Sequence, residues 1–294
     1  MAAPLPDIRP DSLLLTRRSR ITLFCCTAVL GYLLTGLLTT LLIYKFGTAN
    51  ARVLRIAAIA QDILALIAPA LVTAMMVTRL PAQLLELRGG VPGRLWMAAL
   101  PVMIIAAPAM NCVIEFNQNI EATGALSAIV EKMRAMEENA SAMIECMQGN
   151  GTWPDLLMNI LIIGIAAGVS EELFFRGALQ RLLSTGGVNV HAAIWISAIV
   201  FSAVHMQFFG FIPRTLLGAY FGYLLVWGRS IWLPAAAHAL NNTIYVIAQW
   251  YYTRTGTPDV TVDNVGLGDT WPAAIASAIA TALFIATAYR MRRR

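Results

Sequence analysis

Apolar residues fill long stretches of this chain, and short polar segments separate them. A helix needs about 20 apolar residues to cross the hydrocarbon core of a bilayer. Eight stretches approach that length: Ile21–Tyr44, Ile56–Thr78, Leu95–Ile114, Leu156–Phe175 (continuing toward Leu183), His191–Phe209, Ile212–Trp227, Ile231–Trp250 and Trp271–Tyr289. The sixth is the shortest. Tryptophan and tyrosine mark many of their ends, at Trp96, Trp153, Trp227, Trp232, Trp250, Tyr251 and Trp271, as in an interfacial belt. The pattern predicts an all-α polytopic membrane protein with about eight transmembrane helices.

One segment departs from this pattern. Residues 115–152 carry Glu115, Glu121, Glu131, Glu137, Glu138 and Glu145 against Lys132 and Arg134. Leu126, Ile129, Val130, Met133 and Met136 recur there at helical spacing, which predicts an amphipathic helix or hairpin outside the membrane. The organisation expected is a polar tail over 1–20, three accessory helices over 21–114, the acidic insertion over 115–152, a chemical core over 153–250, and a last loop, helix and basic tail over 251–294. The first polar, proline-bearing residues show no cleavage signal, so the first apolar run is expected to stay as an anchor.

Composition agrees. The 294 residues are 58% hydrophobic and 13% charged, with mean hydropathy +0.67, whereas soluble domains carry about 25% charged residues. The net charge of +5 has no basic stripe interleaved with aromatics, so nucleic acid is not an expected partner. The arginines instead flank apolar runs. With both termini in the cytoplasm, about two-thirds of the 21 Lys and Arg fall on the cytoplasmic side, Arg176 and Arg181 among them. That bias, with the short loops, points to a bacterial inner membrane. Cys25, Cys26, Cys112 and Cys146 lack metal-ligand spacing, and a Cys112–Cys146 disulfide is conceivable if their loop faces an oxidising compartment.

Charge inside the apolar runs carries the chemistry. An ionisable side chain in a bilayer costs at least ~2.5–3.5 kcal/mol. Glu171 and Glu172 nevertheless close the run Leu156–Ser170, and Arg176 follows one turn after Glu172 on the same face. Those two can pair. Glu171 points about 100° away and stays unpaired unless another helix meets it, which suits a general base. His205 lies late in the fifth run and His238 early in the seventh. Asn242 shares a face with His238, and such a pair can donate to an oxyanion. Each histidine alone reads equally as a packing residue. Asn241 is expected to face elsewhere, His191 to be interfacial, and Asp62 has no evident partner. The spacings Gly164-xxx-Gly168 and Gly218-xxx-Gly222 admit close helix approach, though such spacing often arises by chance.

Glu171-Glu172-xxx-Arg176, Phe201-xxx-His205 and His238-xxx-Asn242, in that order on separate helices, resemble the CPBP family: the CAAX protease and bacteriocin-processing (Abi) intramembrane proteases, related to the type II CAAX prenyl endopeptidases. The likeness covers about Ile160–Tyr245, with no counterpart for the first three helices or the insertion. It implies cleavage of a membrane-associated or prenylated-type peptide, a core of helices four to seven, and a water-filled cavity open to the cytoplasm. Glu171 would activate water, His205 would help hold it, His238 and Asn242 would bind the oxyanion, and Glu172 and Arg176 would orient the others. No cofactor is required by this scheme. The family's metalloprotease label leaves a divalent metal such as zinc open, on Glu171, His205 and His238, although His-Glu-xx-His is absent. A non-catalytic scaffold or bacteriocin-immunity protein of the same fold is the alternative, with a proton-coupled transporter third. Nothing in the sequence fixes the oligomeric state or the substrate.

Overall fold

The structure, a computed structural model, describes residues 13–47, 50–119, 127–256 and 264–292. Arg9, Arg293, Arg294 and residues 120–126 of the acidic insertion, with Glu121 and Leu126, lie outside them. The described residues are helical, with one antiparallel bridge between Leu13 and Thr78.

Ten helices matter for the site: α1 Arg17–Phe46, α2 Ala51–Val77, α3 Gly93–Ile105, α4 Ala107–Gln118, α5 Ser127–Gln148, α6 Trp153–Thr185, α7 Val190–Val204, α8 Phe211–Gly228, α9 Trp232–Thr255 and α10 Trp271–Arg290. Their ends follow side-chain capping. Thr16, Asn50, Thr152 and Asn189 each accept a backbone N–H of the first turn. At the other ends, α1 stops at Gly47 and α9 at Gly256, both with positive φ.

By length and composition, α1, α2, α6, α10 and a helix covering Phe208–Gly228 suffice to cross a membrane. The third predicted span is a bent pair, α3 and α4, with 48° between them. Pro108 in the first turn of α4 cannot donate back to α3, so the run breaks there. Among the described residues the bent pair brings the count to six at most, against the eight expected. Two expected spans are too short or too polar for this, for different reasons. The fifth ends at Val204 rather than Phe209, because the chain turns through Met206 (φ 55°) into the short helical turn Phe208–Gly210. The seventh, α9, is long, but its polar residues lower its hydropathy.

Large apolar side chains cover the outside of the bundle. Leu33 is 66% exposed, Leu37 60% and Leu283 63%. Exposed leucines of this kind on long helices suit lipid contact, and the chain is an integral membrane protein. Inside, one core joins α3, α7, α8 and α9 through Leu95, Ile194, Phe221, Leu224 and Leu233. A second joins α1, α2 and α6 through Phe24, Leu66, Val77, Phe174, Phe175 and Leu182.

The helix carrying the acids runs for 33 residues to Thr185, as the extension toward Leu183 anticipated. At 1.5 Å per residue it is about 50 Å long, well beyond the ~30 Å hydrocarbon core. It is widened into π-type turns over Ile160–Ala166 and Leu173–Gln180, which leaves Ala167–Glu172 as a short regular segment between them.

Candidate functional site

Two glycine pairs let the helices meet at the site. A Cβ on Gly168 of α6 would stand 2.9 Å from the Ala239 backbone nitrogen and 3.1 Å from its Cα, so α6 and α9 touch backbone to backbone. On α8, the bare backbone at Gly218 lets Arg176 Nη2 donate to its carbonyl at 2.9 Å. Gln180 Nε2 likewise reaches the Gly222 carbonyl at 3.1 Å. The spacing that chance alone might supply is used here for close approach at both pairs.

The charged centre is dry. Glu172 and Arg176 side chains are fully buried and bonded at 2.7 Å through Oε1 and Nη1. Three rings surround the guanidinium, with Phe201 nearest at 4.5 Å to its centroid. Arg181 is buried too. It donates through Nε to Leu84 O at 3.2 Å and pairs with Glu86. Arg176 thus makes the pair its spacing predicts, and Arg181, counted among the flanking cations, is an internal support as well.

Glu172 also holds His238. Its Oε1 lies 2.8 Å from His238 Nδ1, which assigns the proton of that contact to Nδ1. Phe221 stacks on the imidazole at 4.7 Å between centroids. The ring is thereby fixed with Nε2 directed at Glu171, 3.6 Å from Oε2. So a second helix does meet Glu171, as its lack of a local cation required. On the short helix α7, His205 sits just past the last residue. Its Nδ1 is 2.7 Å from Phe201 O, which leaves Nε2 as the ring's other hydrogen-bonding atom.

Glu171, His205, His238 and Asn242 line one cavity of about 520 Å³. The sequence-predicted constellation is therefore gathered in one place. Asn242 enters partly engaged: Nδ2 donates to Ile163 O at 3.2 Å, and Oδ1 accepts from Asn241 Nδ2 at 3.3 Å. An amide carries two N–H groups, so one hydrogen of Asn242 remains to donate elsewhere.

Several lining residues were missed or misread. Asn241 does not face elsewhere; it lines this cavity and the adjoining one of about 630 Å³. Arg214 also lines both, held by Gln207 through its backbone carbonyl and its Oε1. Asp62 does have a partner, Ser170. His191 is exposed and bonds the Tyr223 hydroxyl at 3.0 Å.

The acidic insertion is no remote appendage either. Ala140, Met143, Ile144 and Met147 of α5 form one wall of the cavity. Arg55 of α2 secures the end of α5, donating to Met147 O and Gln148 O while pairing with Asp155 at 2.8 Å. A cation on the last carbonyls of a helix also meets its dipole favourably. At mid-helix, Glu137 Oε2 accepts the Phe209 N–H at 3.3 Å. The cavity thus extends from Glu171 toward the insertion. Cys112 and Cys146 are not disulfide-bonded.

Among the described residues, no three His, Cys, Asp or Glu side chains are grouped to hold an ion. His238 Nδ1 meets Glu172 and His205 Nδ1 meets a carbonyl, so each ring offers the site its Nε2.

Residues 153–244 match the family model described as "Type II CAAX prenyl endopeptidase Rce1-like". These are the residues of α6 to α9 that build the site. Over 134 residues the chain is 28% identical to the Bacillus subtilis (strain 168) protein named "Putative membrane peptidase YdiL", covering 46% of this chain and 51% of that one. The chain thus spans about half the length of that curated relative. No solved structure matches.

Proposed function

We propose that this protein is an intramembrane endopeptidase that hydrolyses a peptide bond of a membrane-associated or prenylated-type substrate. The observation that carries the reading is the Glu171–His238 contact at 3.6 Å in a cavity that His205 and Asn242 also line. Glu171 takes a proton from water, and the hydroxide attacks the scissile carbonyl. His205 Nε2 accepts the water's other O–H and holds it in place. The developing oxyanion meets the spare N–H of Asn242 and His238 Nε2, which serves as a donor once it carries a proton. The tetrahedral intermediate then collapses: the C–N bond breaks, and Glu171 returns its proton to the leaving amine. Glu172 and Arg176 keep the imidazole from rotating and do not touch the substrate. Every group in this scheme belongs to the chain itself, so it calls for no cofactor.

The protein is placed in a bacterial inner membrane with both termini cytoplasmic, on the strength of the flanking arginines. In that orientation the cavity faces the extracytoplasmic side, beneath α5.

The test is turnover by the pure protein in lipid vesicles, with an internally quenched peptide bearing an S-farnesyl cysteine and a second spanning the bilayer. Wild type is expected to cleave one of them, and Glu171→Ala and His205→Ala to lose cleavage. Equal rates in all three would favour a scaffold or immunity protein of the same fold.

A further inference from the structure

The direction of Glu171 depends on what other helices hold in the turn that carries it. The regular turn Ala167–Glu172 lies between two widened stretches of α6. Adding a residue to a turn rotates every side chain beyond it, so helical hydrogen bonds alone leave the aim of Glu171 loosely set. Contacts from other helices must fix it. One is known already: Glu172 is clamped by Arg176 and His238.

On the other flank of Glu171 stands Ser170, fully buried. Its hydroxyl lies 2.8 Å from Asp62 Oδ1 of α2 and 3.0 Å from Ala167 O of its own helix. Asp62 opens the widened turn Asp62–Ile67, a feature that recurs at functional sites. It lines the same cavity as Glu171 and is only 7% exposed. Its Oδ2 has no hydrogen-bond partner among the described residues. A buried carboxyl with one oxygen so placed is costly. Packing alone would be served better by an apolar residue, so the acid is kept for what Oδ1 does.

We propose that Asp62 is a positioning residue of the site: through Ser170 it fixes the rotation of the turn that aims Glu171. It rests on the reading of Glu171 as the base. It also gives the accessory helix α2, outside residues 153–244, a part in the reaction. What the role needs is a hydrogen-bond acceptor at Oδ1, which asparagine also supplies.

Two measurements on the full-length protein in detergent micelles test this. The first is turnover of the farnesylated quenched peptide. Asp62→Ala and Ser170→Ala should each lower kcat about tenfold, the loss of one hydrogen bond, with KM within about twofold of wild type. The double variant should be no slower than the singles, and Asp62→Asn should stay within about threefold of wild type. Additive losses, or Asp62→Asn as slow as Asp62→Ala, overturn the proposal, because a structural or charge role behaves that way. The second is the rate at which an apolar carbodiimide modifies Glu171, read by mass spectrometry of the peptide. Asp62→Ala and Ser170→Ala should change that rate in the same direction by at least threefold, and Asp62→Asn should not. An unchanged rate overturns the proposal whatever the turnover shows. Should wild type cleave nothing, the protease reading falls, and the labelling rates alone decide the role of Asp62. If Asp62→Ala fails to fold, Ser170→Ala, which removes a single hydroxyl, carries the same comparison.

Discussion

Replacing Arg176 by methionine tests the dry centre of the protein. Both side chains of the Glu172–Arg176 pair have no exposed surface, and the bond between them is 2.7 Å. Methionine keeps much of the volume but removes the guanidinium, along with its bond to Gly218 O. Glu172 is left as a buried carboxylate facing His238 Nδ1. Deleting one partner of a buried ion pair costs about 3–5 kcal/mol. The remaining imidazole contact places this case at the lower end, about 3 kcal/mol. Replacing both partners, as in Glu172→Gln with Arg176→Met, removes the stranded charge and keeps an acceptor for His238, so at least half of that loss should return. Reversible unfolding in dodecylmaltoside–SDS micelles, followed through the seven tryptophans, measures all three proteins. A cost below about 1 kcal/mol for Arg176→Met, or a double variant no more stable than the single, would refute the argument.

Three further outcomes follow from the same geometry. Gly168→Val should destabilise by about 1–3 kcal/mol, as overpacking does, because its Cβ would press on the backbone of Ala239 rather than on a flexible side chain; the same unfolding assay reads it. Arg55→Met should release the end of α5, where the guanidinium donates to two terminal carbonyls and pairs with Asp155. Charged hydrogen bonds contribute about 1.5–3 kcal/mol, so amide exchange over Ser127–Gln148 should quicken about ten- to a hundredfold, and unchanged exchange would show that α5 is held elsewhere. Alkylation of the denatured protein without reductant should add four maleimides, one per cysteine; an addition of two would restore the Cys112–Cys146 disulfide.

Much of the helical layout was legible because a bilayer leaves few solutions. Apolar runs of the right length had to become helices, and caps such as Thr152 and Asn189 marked where two of them begin. The candidate site was legible for a related reason: Glu171, Glu172, His205 and His238 are expensive in an apolar setting, so their presence asked for a purpose. What escaped depended on contacts between distant segments. Arg176 and Arg181 look like interfacial charges until Phe201 and Glu86 are seen around them. Asp62 and Ser170 are remote in sequence, and nothing in either stretch names the other. The insertion displayed its amphipathic pattern, yet no pattern says which surface its apolar face covers. Met143, Ile144 and Met147 found theirs on the cavity. The turn at His205 was hidden by continuing apolar residues, since hydropathy does not register a backbone reversal.

In the proposed reaction Glu171 delivers water to a peptide carbonyl inside the cavity. Cleavage of the quenched peptide in water enriched in ¹⁸O addresses that directly. Wild type should place one ¹⁸O in the carboxylate of the N-terminal product, and folded Glu171→Gln should yield no product. Cleavage that persists at the wild-type rate in Glu171→Gln, with the label still incorporated, would contradict it.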